Sequence, residues 1–315
     1  METKTLGRTG LQATIVGLGS GGHSRLGMSQ NKGDDNAARV LRYALDAGVN
    51  LIDTAEAYGT EAVIGSVLQQ MPGLRPQLIL STKLSYKANG QIKTPAEIEA
   101  SLAASLKRLH TDAVDIYHVH GITLADYDAV LVRTLPVLQR LREQGKLRFI
   151  GITEYFGSDT DHQALRRAVQ DDCWDVMMVG FNLLNPSARE SVFNLTRAKG
   201  IGTLCMFAVR DALVSLERLE AYLAPRLRDA GLDARVLQAL PVLRRLLESG
   251  QCASLTEAAY RYCRHEPGMD CILVGTGSVD HLRHNIADIQ KPPLPADFIA
   301  QIEPVFAGIT SLSGQ

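Results

Sequence analysis

The 315-residue chain has few cysteines and no excess of charge of either sign. Its five cysteines are an odd number without a C-x-x-C pair, so we expect reduced thiols rather than a disulfide framework. Lys and Arg total 33 against 34 Asp and Glu, which leaves a net charge of -1. Without a basic field there is little counterion release, which argues against general binding to nucleic acid or to a membrane surface. Small molecules are the expected partners.

Long apolar runs are also missing. The longest, such as Leu78–Leu80 and Cys271–Val274, fall far short of the roughly 20 residues that cross a bilayer, so we expect no membrane span. Met1–Thr5 has no apolar signal-peptide core behind its charges, which predicts a cytoplasmic protein. No linker rich in Pro, Gly or Ser and no charge block interrupts the chain, so we expect residues 1–315 to form one domain.

The chain does contain a repeated alternation of short apolar runs and longer amphipathic stretches, which is typical of βα units around a parallel sheet. The short runs predict eight strands, at Thr14–Leu18, Val49–Asp53, Leu78–Lys83, Val114–His120, Leu147–Ile152, Val176–Val179, Ile201–Met206 and Cys271–Val274. The amphipathic stretches predict eight helices, at Ala37–Ala47, Glu61–Gln70, Pro95–Leu109, Tyr127–Gln144, His162–Gln170, Ser187–Lys199, Leu255–Arg264 and Val279–Ile289. Eight of each favours a (β/α)8 barrel over an open doubly wound sheet.

Two further segments add to this pattern. Thr5–Leu11 has a glycine at a turn, which predicts an N-terminal hairpin that plugs one end of the barrel. Phe207–Gly250 follows the seventh strand, is longer than an ordinary βα loop and carries leucines in helical register. It predicts a helical elaboration on the active face.

Polar side chains close three consecutive predicted strands. Asp53 ends the second strand, Lys83 the third and His120 the fourth, and Tyr58 lies five residues past Asp53. The reacting groups of such barrels come from the carboxyl ends of the strands. We therefore expect these four side chains to converge at one rim.

The residue types indicate proton transfer. A tyrosine has a pKa near 10, and a desolvated Lys83 held by Asp53 is expected to bring the pKa of Tyr58 towards neutrality. His120 would orient a substrate oxygen. The set contains no nucleophile, so redox chemistry would need a hydride donor from a cofactor. We interpret His118, on the same strand face one layer deeper, as a hydrogen-bonded interior histidine.

A rival interpretation starts from the H-x-H formed by His118 and His120. Two imidazoles on one strand face could share a metal ion in a metal-dependent hydrolase. The other histidines lie in a Gly-rich loop or on or beside predicted helices, so no further ligand reaches a strand end. We therefore expect no metal.

Several motifs occur in a fixed order: Asp53-Thr54-Ala55-x-x-Tyr58-Gly59, Ser81-Thr82-Lys83, Asp115-Ile116-Tyr117-x-x-His120, Gly145-Lys146-Leu147-Arg148-Phe149-Ile150-Gly151 and Phe181-Asn182-Leu183-Leu184. Together they resemble the aldo-keto reductase superfamily. The match extends nearly end to end, from Leu6–Leu11 to Ile272–Gly275 with Ser278 and Asn285. The resemblance implies a (β/α)8 barrel that binds a nicotinamide cofactor without a Rossmann domain.

The resemblance also implies roles for individual residues. Tyr58 would be the general acid/base, Lys83 and Asp53 would tune it, and His120 would position the carbonyl. The cofactor, NADP(H) or NAD(H), would lie against Gly19, Ser20, Asp53, Thr153, Glu154, Met178, Phe181, Phe207, Ala208, Val209, Arg210, Gly275, Thr276, Gly277, Ser278, His281 and Asn285.

The residues expected to bind the nicotinamide carboxamide differ from the family pattern. Thr153-Glu154 replaces the usual Ser-Asn after strand five, Met178 replaces a Gln, Phe181 replaces the Tyr that stacks on the nicotinamide, and Phe207-Ala208-Val209 replaces Ser-Pro-Leu. Glu154 should either accept a hydrogen bond from the carboxamide or turn away, and a solvated rim carboxylate is the simplest alternative.

The segment expected at the cofactor's 2′-phosphate has few cations. Family members that bind this phosphate often have Lys and Arg where this chain has Gly275 and His281. We therefore expect NAD(H) to be used at least comparably with NADP(H), unless Arg210 or another arginine of Phe207–Gly250 reaches the phosphate.

The implied function is hydride transfer between a nicotinamide cofactor and a carbonyl or alcohol substrate such as an aldehyde, ketone or aldose. The C-terminal part more nearly resembles sugar dehydrogenases acting on galactose or fucose, so an NAD-dependent aldose 1-dehydrogenase stays open. From another class, a cofactor-sensing binding protein with incidental turnover, like the family's channel-associated subunits, also stays open. The physiological substrate, the direction of reaction and the oligomeric state are not predicted.

Overall fold

The computed structural model describes residues 1–229 and 232–315. At its centre is a closed barrel of eight parallel strands, each paired with the next in the chain and the last with the first. The barrel strands are β1 (Val16–Gly19), β2 (Leu51–Asp53), β3 (Ile79–Leu84), β4 (Val114–Ile122), β5 (Leu147–Glu154), β6 (Val176–Gly180), β7 (Gly202–Met206) and β8 (Cys271–Val274). The predicted (β/α)8 barrel is confirmed.

Helices surround the barrel and bury their apolar faces against the strands. In the described ranges they are α1 (Gly33–Asp46), α2 (Glu61–Gln69), α3 (Pro95–Leu109), α4 (Tyr127–Arg133), α5 (Leu135–Glu143), α6 (Gln163–Ala168), α7 (Asn194–Lys199), α8 (Leu216–Asp229), α9 (Ala239–Glu248), α10 (Leu255–Arg264), α11 (Val279–Ile289) and α12 (Ala296–Phe306). None of the helices in these ranges is both long and apolar enough to span a membrane.

An apolar layer fills the N-terminal end of the barrel. Strands Thr3–Thr5 and Gln12–Thr14 form the predicted antiparallel hairpin, which delivers Leu6 into a buried cluster with inward residues of the barrel such as Leu51 and Ile79. Side chains alternate along each strand, so Ile79 and Lys83 share the inward face of β3. The apolar residue therefore closes the floor of the barrel, and the charged one stands at its mouth.

Several predicted boundaries differ from the structure. Thr14–Leu18 is divided, because Gln12–Thr14 belongs to the hairpin and the barrel strand starts at Val16. The predicted helix Tyr127–Gln144 breaks at Thr134, because Pro136 has no backbone N–H to donate and stands in the first turn of α5. The helix predicted at Ser187–Lys199 opens with a π-helical turn before α7.

The predicted elaboration after the seventh strand is helical, as expected. Within Phe207–Gly250 the structure has α8 and α9, and residues 230–231 of that segment lie outside the described residues. The C-terminal helix α12, which packs against α9, was not among the predicted helices.

Candidate active site

Four side chains meet at the carboxyl ends of β2, β3 and β4. Asp53 closes β2, Lys83 lies near the end of β3 and His120 near the end of β4. A short 3-10 turn after β2, Glu56–Tyr58, carries the fourth. The Tyr58 hydroxyl lies 3.3 Å from Nε2 of His120, and the two rings meet edge to face. The structure therefore brings together the residues that the strand ends predicted.

Lys83 is fully buried and held by two acceptors. Its Nζ donates to Oδ2 of Asp53 at 2.5 Å and to the carbonyl of Thr54 at 2.7 Å. Ser81 donates to the other carboxylate oxygen of Asp53 at 2.8 Å. Burial opposes the charge on Lys83, but the attraction of Asp53 outweighs it and raises the pKa of the ammonium. Lys83 therefore stays a cation, 4.9 Å from the centre of the Tyr58 ring.

The expectation for the pKa of Tyr58 is wrong in this state. Burial of the phenol outweighs the charge of Lys83, so the pKa of Tyr58 is raised above its ordinary value of 10.0 rather than brought towards neutrality. The negative charge of Asp53, the partner of Lys83, also opposes the phenolate. Tyr58 is consequently a protonated phenol at neutral pH.

His120 is neutral. Burial, helped by the nearby cation of Lys83, lowers the pKa of His120 to about 3. A neutral imidazole can donate from one ring nitrogen and accept at the other. Beside Tyr58 it can therefore contact a substrate oxygen without competing for the proton.

His118 occupies the barrel interior, as expected, where its ring lies within weak hydrogen-bonding reach of the backbone of Ile152. Neither of its ring nitrogens has a partner of good geometry in the described part of the chain. Its ring fills the space over Gly151, where an added Cβ would lie 2.2 Å from Nδ1. Burial holds the pKa of His118 well below the ordinary value. Within residues 1–229 and 232–315, no three His, Cys, Asp or Glu side chains form a group that could hold a metal ion.

The loop after β1 lies directly on the tyrosine. A Cβ on Gly21 would come within 2.5 Å of the Tyr58 ring, so only glycine allows this approach. Ser20, a predicted cofactor contact, is fully buried and its hydroxyl lies 2.7 Å from that of Thr60. The loop thus fixes the tyrosine ring from above.

Part of the predicted cofactor set lies together along the edge between β8 and β1. A Cβ on Gly275 would lie 3.3 Å from the carbonyl oxygen of Gly19. Ser278 caps α11 by accepting the backbone N–H of His281 at 3.4 Å, and Asn285 is half-buried one turn later. Of the remaining predicted contacts, Met178 belongs to the apolar cluster inside the barrel, Ala208, Thr276 and Gly277 are buried, and Val209 is half-buried.

Glu154 is not a solvated rim carboxylate. Its side chain is fully buried, accepts the backbone N–H of Gly180 at 2.7 Å, and lies 2.9 Å and 3.0 Å from Nδ1 of His162. The alternation along β5 turns Thr153 towards the barrel interior and Glu154 away from it. Because its oxygens are already paired with His162 and Gly180, Glu154 has none free for a carboxamide in this conformation. Thr153 is also buried and accepts the backbone N–H of Gly121 at 2.7 Å.

Phe181 does not face the barrel mouth. Its ring packs on Tyr262 and Phe193, with ring centres 5.8 Å and 5.2 Å away, and it is fully buried between barrel and helices. The reason is the register of β6, which turns Met178 and Gly180 inward and the next residue outward. The expected stacking of Phe181 on a nicotinamide is therefore wrong.

Two aromatic side chains near the mouth were missed or misplaced by sequence reasoning. Phe156, absent from the predicted site, lies over Gly180 and stacks on Phe207 with ring centres 6.0 Å apart. His162, predicted only as the start of a helix, is the buried partner of Glu154. A buried carboxylate requires a partner, but the sequence does not show which of the nearby side chains supplies it.

Comparison with known proteins agrees with this geometry. Residues 16–306 match the family model described as the Aldo/keto reductase family. The chain is 26% identical to L-galactose dehydrogenase of Arabidopsis thaliana over 99% of this chain and 97% of that protein. It is 29% identical to the aldo-keto reductase YhdN of Bacillus subtilis over 87% and 85%. The solved structure of aldo-keto reductase AKR11C1 from Bacillus halodurans, in its holo form, has a TM-score of 0.76 with full coverage of both chains at 22% identity. The chain therefore belongs to the aldo/keto reductase family of oxidoreductases.

Proposed function

We propose that this protein interconverts a carbonyl and an alcohol at Tyr58 with a nicotinamide cofactor. The observation that carries the proposal is the convergence of Tyr58, His120 and the Lys83–Asp53 pair at the carboxyl ends of three neighbouring strands. A bound nicotinamide supplies or accepts the hydride. The chain's own residues must then transfer the proton.

Tyr58 is the proton donor in carbonyl reduction. Its raised pKa keeps the hydroxyl protonated at neutral pH, so a proton is available as charge develops on the carbonyl oxygen. Lys83 stabilises the phenolate that is left behind, since its charge is fixed beside the ring. His120 orients the carbonyl oxygen through a neutral ring nitrogen. In the direction of alcohol oxidation the same groups act in reverse.

The residues at the β8–β1 edge fit a dinucleotide. Gly19, Gly21 and Gly275 lie close together and leave the backbone free of side chains there. The N-terminal amides of α11 suit a phosphate. On the other side of the mouth, Nη1 of Arg210 is buried without a hydrogen-bond partner in the described part of the chain.

The substrate class we propose is a small carbonyl compound or an aldose. The similarity to L-galactose dehydrogenase favours including aldose oxidation at the anomeric carbon. The test is turnover by the purified protein with aldehydes and ketones plus NADH or NADPH, and with aldoses, L-galactose among them, plus NAD⁺ or NADP⁺. Turnover in either direction supports the proposal. Tight cofactor binding without turnover across the panel would instead indicate a cofactor-sensing protein.

We also propose that NAD(H) serves at least comparably with NADP(H). At the expected 2′-phosphate position His281 is exposed, and one cation that sequence reasoning missed, Lys32, lies 3.4 Å from the carbonyl oxygen of Gly277. The same groove is lined by three cations, Lys32, Arg39 and Arg42, and by four carboxylates, Asp34, Asp35, Asp46 and Asp280. Two well-placed cations would give NADP(H) roughly thirtyfold tighter binding at a partly exposed phosphate, and in this groove the carboxylates outnumber the cations.

Parallel titrations of NADH and NADPH at one ionic strength test this preference. We expect comparable dissociation constants for the parent and little change in either for Lys32→Gln. NADPH binding more than about a hundredfold tighter than NADH would contradict the proposal. A selective loss of NADPH affinity in Lys32→Gln would identify Lys32 as the phosphate ligand and contradict it equally.

A further inference from the structure

A continuous stack of four side chains joins the end of β5 to the loop after β7. The ring of His162 lies on Phe156 with centres 5.5 Å apart and planes at 22°. Phe156 lies on Phe207 at 6.0 Å and 25°, and the guanidinium carbon of Arg210 is 4.1 Å from the centre of the Phe207 ring. We call these four residues the ring stack. Both phenylalanines have two stacking neighbours, which leaves little ring face for a ligand.

The inner end of the ring stack is anchored by the buried carboxylate of Glu154. Glu154 and His162 have no exposed side-chain surface, and the carboxylate also accepts the backbone N–H of Gly180. Burial opposes charge on His162, but the negative charges of Glu154, Asp159 and Asp161 outweigh it and raise the pKa of the imidazole. A protonated ring at this position is a cation facing Phe156.

Two members of the ring stack have strained backbones. Phe207 has φ of 67° and His162 has φ of 56°, in the left-handed region that non-glycine residues avoid. Such strain persists only where surrounding contacts fix the conformation, and it concentrates at ligand clamps and active sites. The contacts that fix it here are the ion pair with Glu154 and the stacking of the rings.

The outer end of the ring stack has unused hydrogen-bonding capacity. Arg210 donates from Nε to the side chain of Gln315 at 3.0 Å. Its Nη1 is buried and has no partner in residues 1–229 and 232–315. A guanidinium whose flat face is occupied by Phe207 still directs its N–H groups sideways, where an anion with paired oxygens fits them best.

We propose that His162 is a positioning residue for the cofactor: through Phe156 and Phe207 it holds the guanidinium of Arg210 in place to bind a phosphate of the dinucleotide. This inference rests on the proposed function, because it takes the nicotinamide cofactor as the ligand. In this arrangement Glu154 has lost a direct role at the carboxamide and acts instead as the counter-charge at the far end of the ring stack.

The test is a double-mutant cycle on cofactor affinity. The variants are His162→Gln, Arg210→Gln and the double variant, and His110→Asn on the exposed end of α3 is the matched histidine control. Dissociation constants for NADH and NADPH are measured from about pH 6 to about pH 9, a range that brackets the ordinary histidine titration. Phe156→Leu is a second way to interrupt the ring stack if His162→Gln folds poorly, because it leaves the Glu154 pair intact.

We expect His162→Gln to weaken cofactor binding about fivefold and Arg210→Gln to weaken it more. The double variant should be no weaker than Arg210→Gln alone, and Phe156→Leu should behave like His162→Gln. The cofactor affinity of the parent should fall as pH rises through the His162 titration. The single variants His162→Gln and Arg210→Gln should both lose this pH dependence. Loss of NADH and NADPH affinity together places the pyrophosphate on Arg210, and loss of NADPH affinity alone places the 2′-phosphate there.

The inference would be overturned if the effects of His162→Gln and Arg210→Gln on cofactor affinity were additive, or if the pH profile of affinity were unchanged in both of these variants. The ring stack would then be a purely structural feature. If the parent bound neither nucleotide, the proposed function itself would fail, and this inference with it. If the parent bound and turned over cofactor but the cycle was additive, only this inference would fail. The two failures are therefore distinguishable in one experiment.

Discussion

At the scale of single residues, the site depends on two opposing effects on Tyr58. Burial raises the pKa of the phenol, and the fixed charge of Lys83 limits that rise. The result is a hydroxyl that remains protonated until a substrate oxygen draws the proton. Because the charge of Lys83 is itself maintained by Asp53, the residues Tyr58, Lys83 and Asp53 depend on one another for their protonation states.

Lys83→Met should therefore impair turnover severely, because the phenolate of Tyr58 loses its nearest cation. We expect kcat to fall by about 10² or more, within the range typical of acid-base groups. The variant also leaves Asp53 buried without its partner, which costs on the order of 3 to 5 kcal/mol of folding free energy. The assay must therefore be run well below the melting temperature of the variant. Lys87→Met, which removes a half-exposed lysine from the next loop, is the matched control. Equal activity of both variants would contradict the role of Lys83.

The sequence predicted the strand-end residues because their positions follow from a simple rule, the last inward side chain of a buried strand. Asp53, Lys83 and His120 obey this rule. The partner of Glu154 and the true orientation of Phe181 could not be predicted in the same way. They depend on where β5 and β6 end and on how the following loops fold back, and the side-chain pattern of an isolated strand does not contain that information.

At the scale of elements, β5, β6 and the loop after β7 meet in a closely packed junction at the mouth. Gly180 ends β6 with the ring of Phe156 directly over it, and a Cβ there would come within 2.3 Å of the ring. Glu154 accepts the backbone N–H of the same glycine.

Gly180→Ala should consequently displace Phe156 and destabilise the fold by about 1 to 3 kcal/mol, the usual cost of overpacking a well-filled site. Chemical denaturation measures this change in the free energy of unfolding, provided that the slope against denaturant concentration is the same for the variant and the parent. Gly73→Ala is the matched control, because an added Cβ at that position meets no atom within 4 Å. A Gly180 variant as stable as the control would show that the junction can relax without cost.

The helix boundaries show which features of secondary structure could be predicted from the sequence and which could not. α3, α10 and α11 begin and end where their patterns predict. The break between α4 and α5 was missed because the apolar register continues across Thr134, although Pro136 interrupts the backbone hydrogen bonds. The spacing of apolar residues indicates which face of a helix is buried. It does not indicate whether the helical hydrogen bonding of the backbone is continuous.

At the scale of the whole molecule, the stability should depend on pH through the buried pair of Glu154 and His162. Burial lowers the pKa of His162, but the surrounding carboxylates raise it further, so the folded pKa lies above the unfolded value of about 6.5. A group whose pKa is raised on folding stabilises the fold fully below its unfolded pKa, and that stabilisation is lost as pH rises through the folded pKa.

We therefore expect the melting temperature of the parent to fall as pH rises from about 6.5. His162→Gln should show a flatter curve in the same range, and His110→Asn should keep the slope of the parent because His110 is exposed. Thermal unfolding followed by circular dichroism across that range provides the measurement. Parallel curves for the parent and His162→Gln would show that the pair makes no pH-dependent contribution.

The most direct test of the whole account is the activity and cofactor affinity of Tyr58→Phe. The lost hydroxyl is the proposed proton donor, while the ring that packs on Gly21 and beside Lys83 remains. We expect kcat to fall by about 10² to 10⁴ with the cofactor dissociation constant nearly unchanged. Tyr155→Phe, at a tyrosine that is 61% exposed, should keep the activity of the parent. A kcat for Tyr58→Phe within a few-fold of the parent would show that the proton comes from another group and would contradict the assignment of this site.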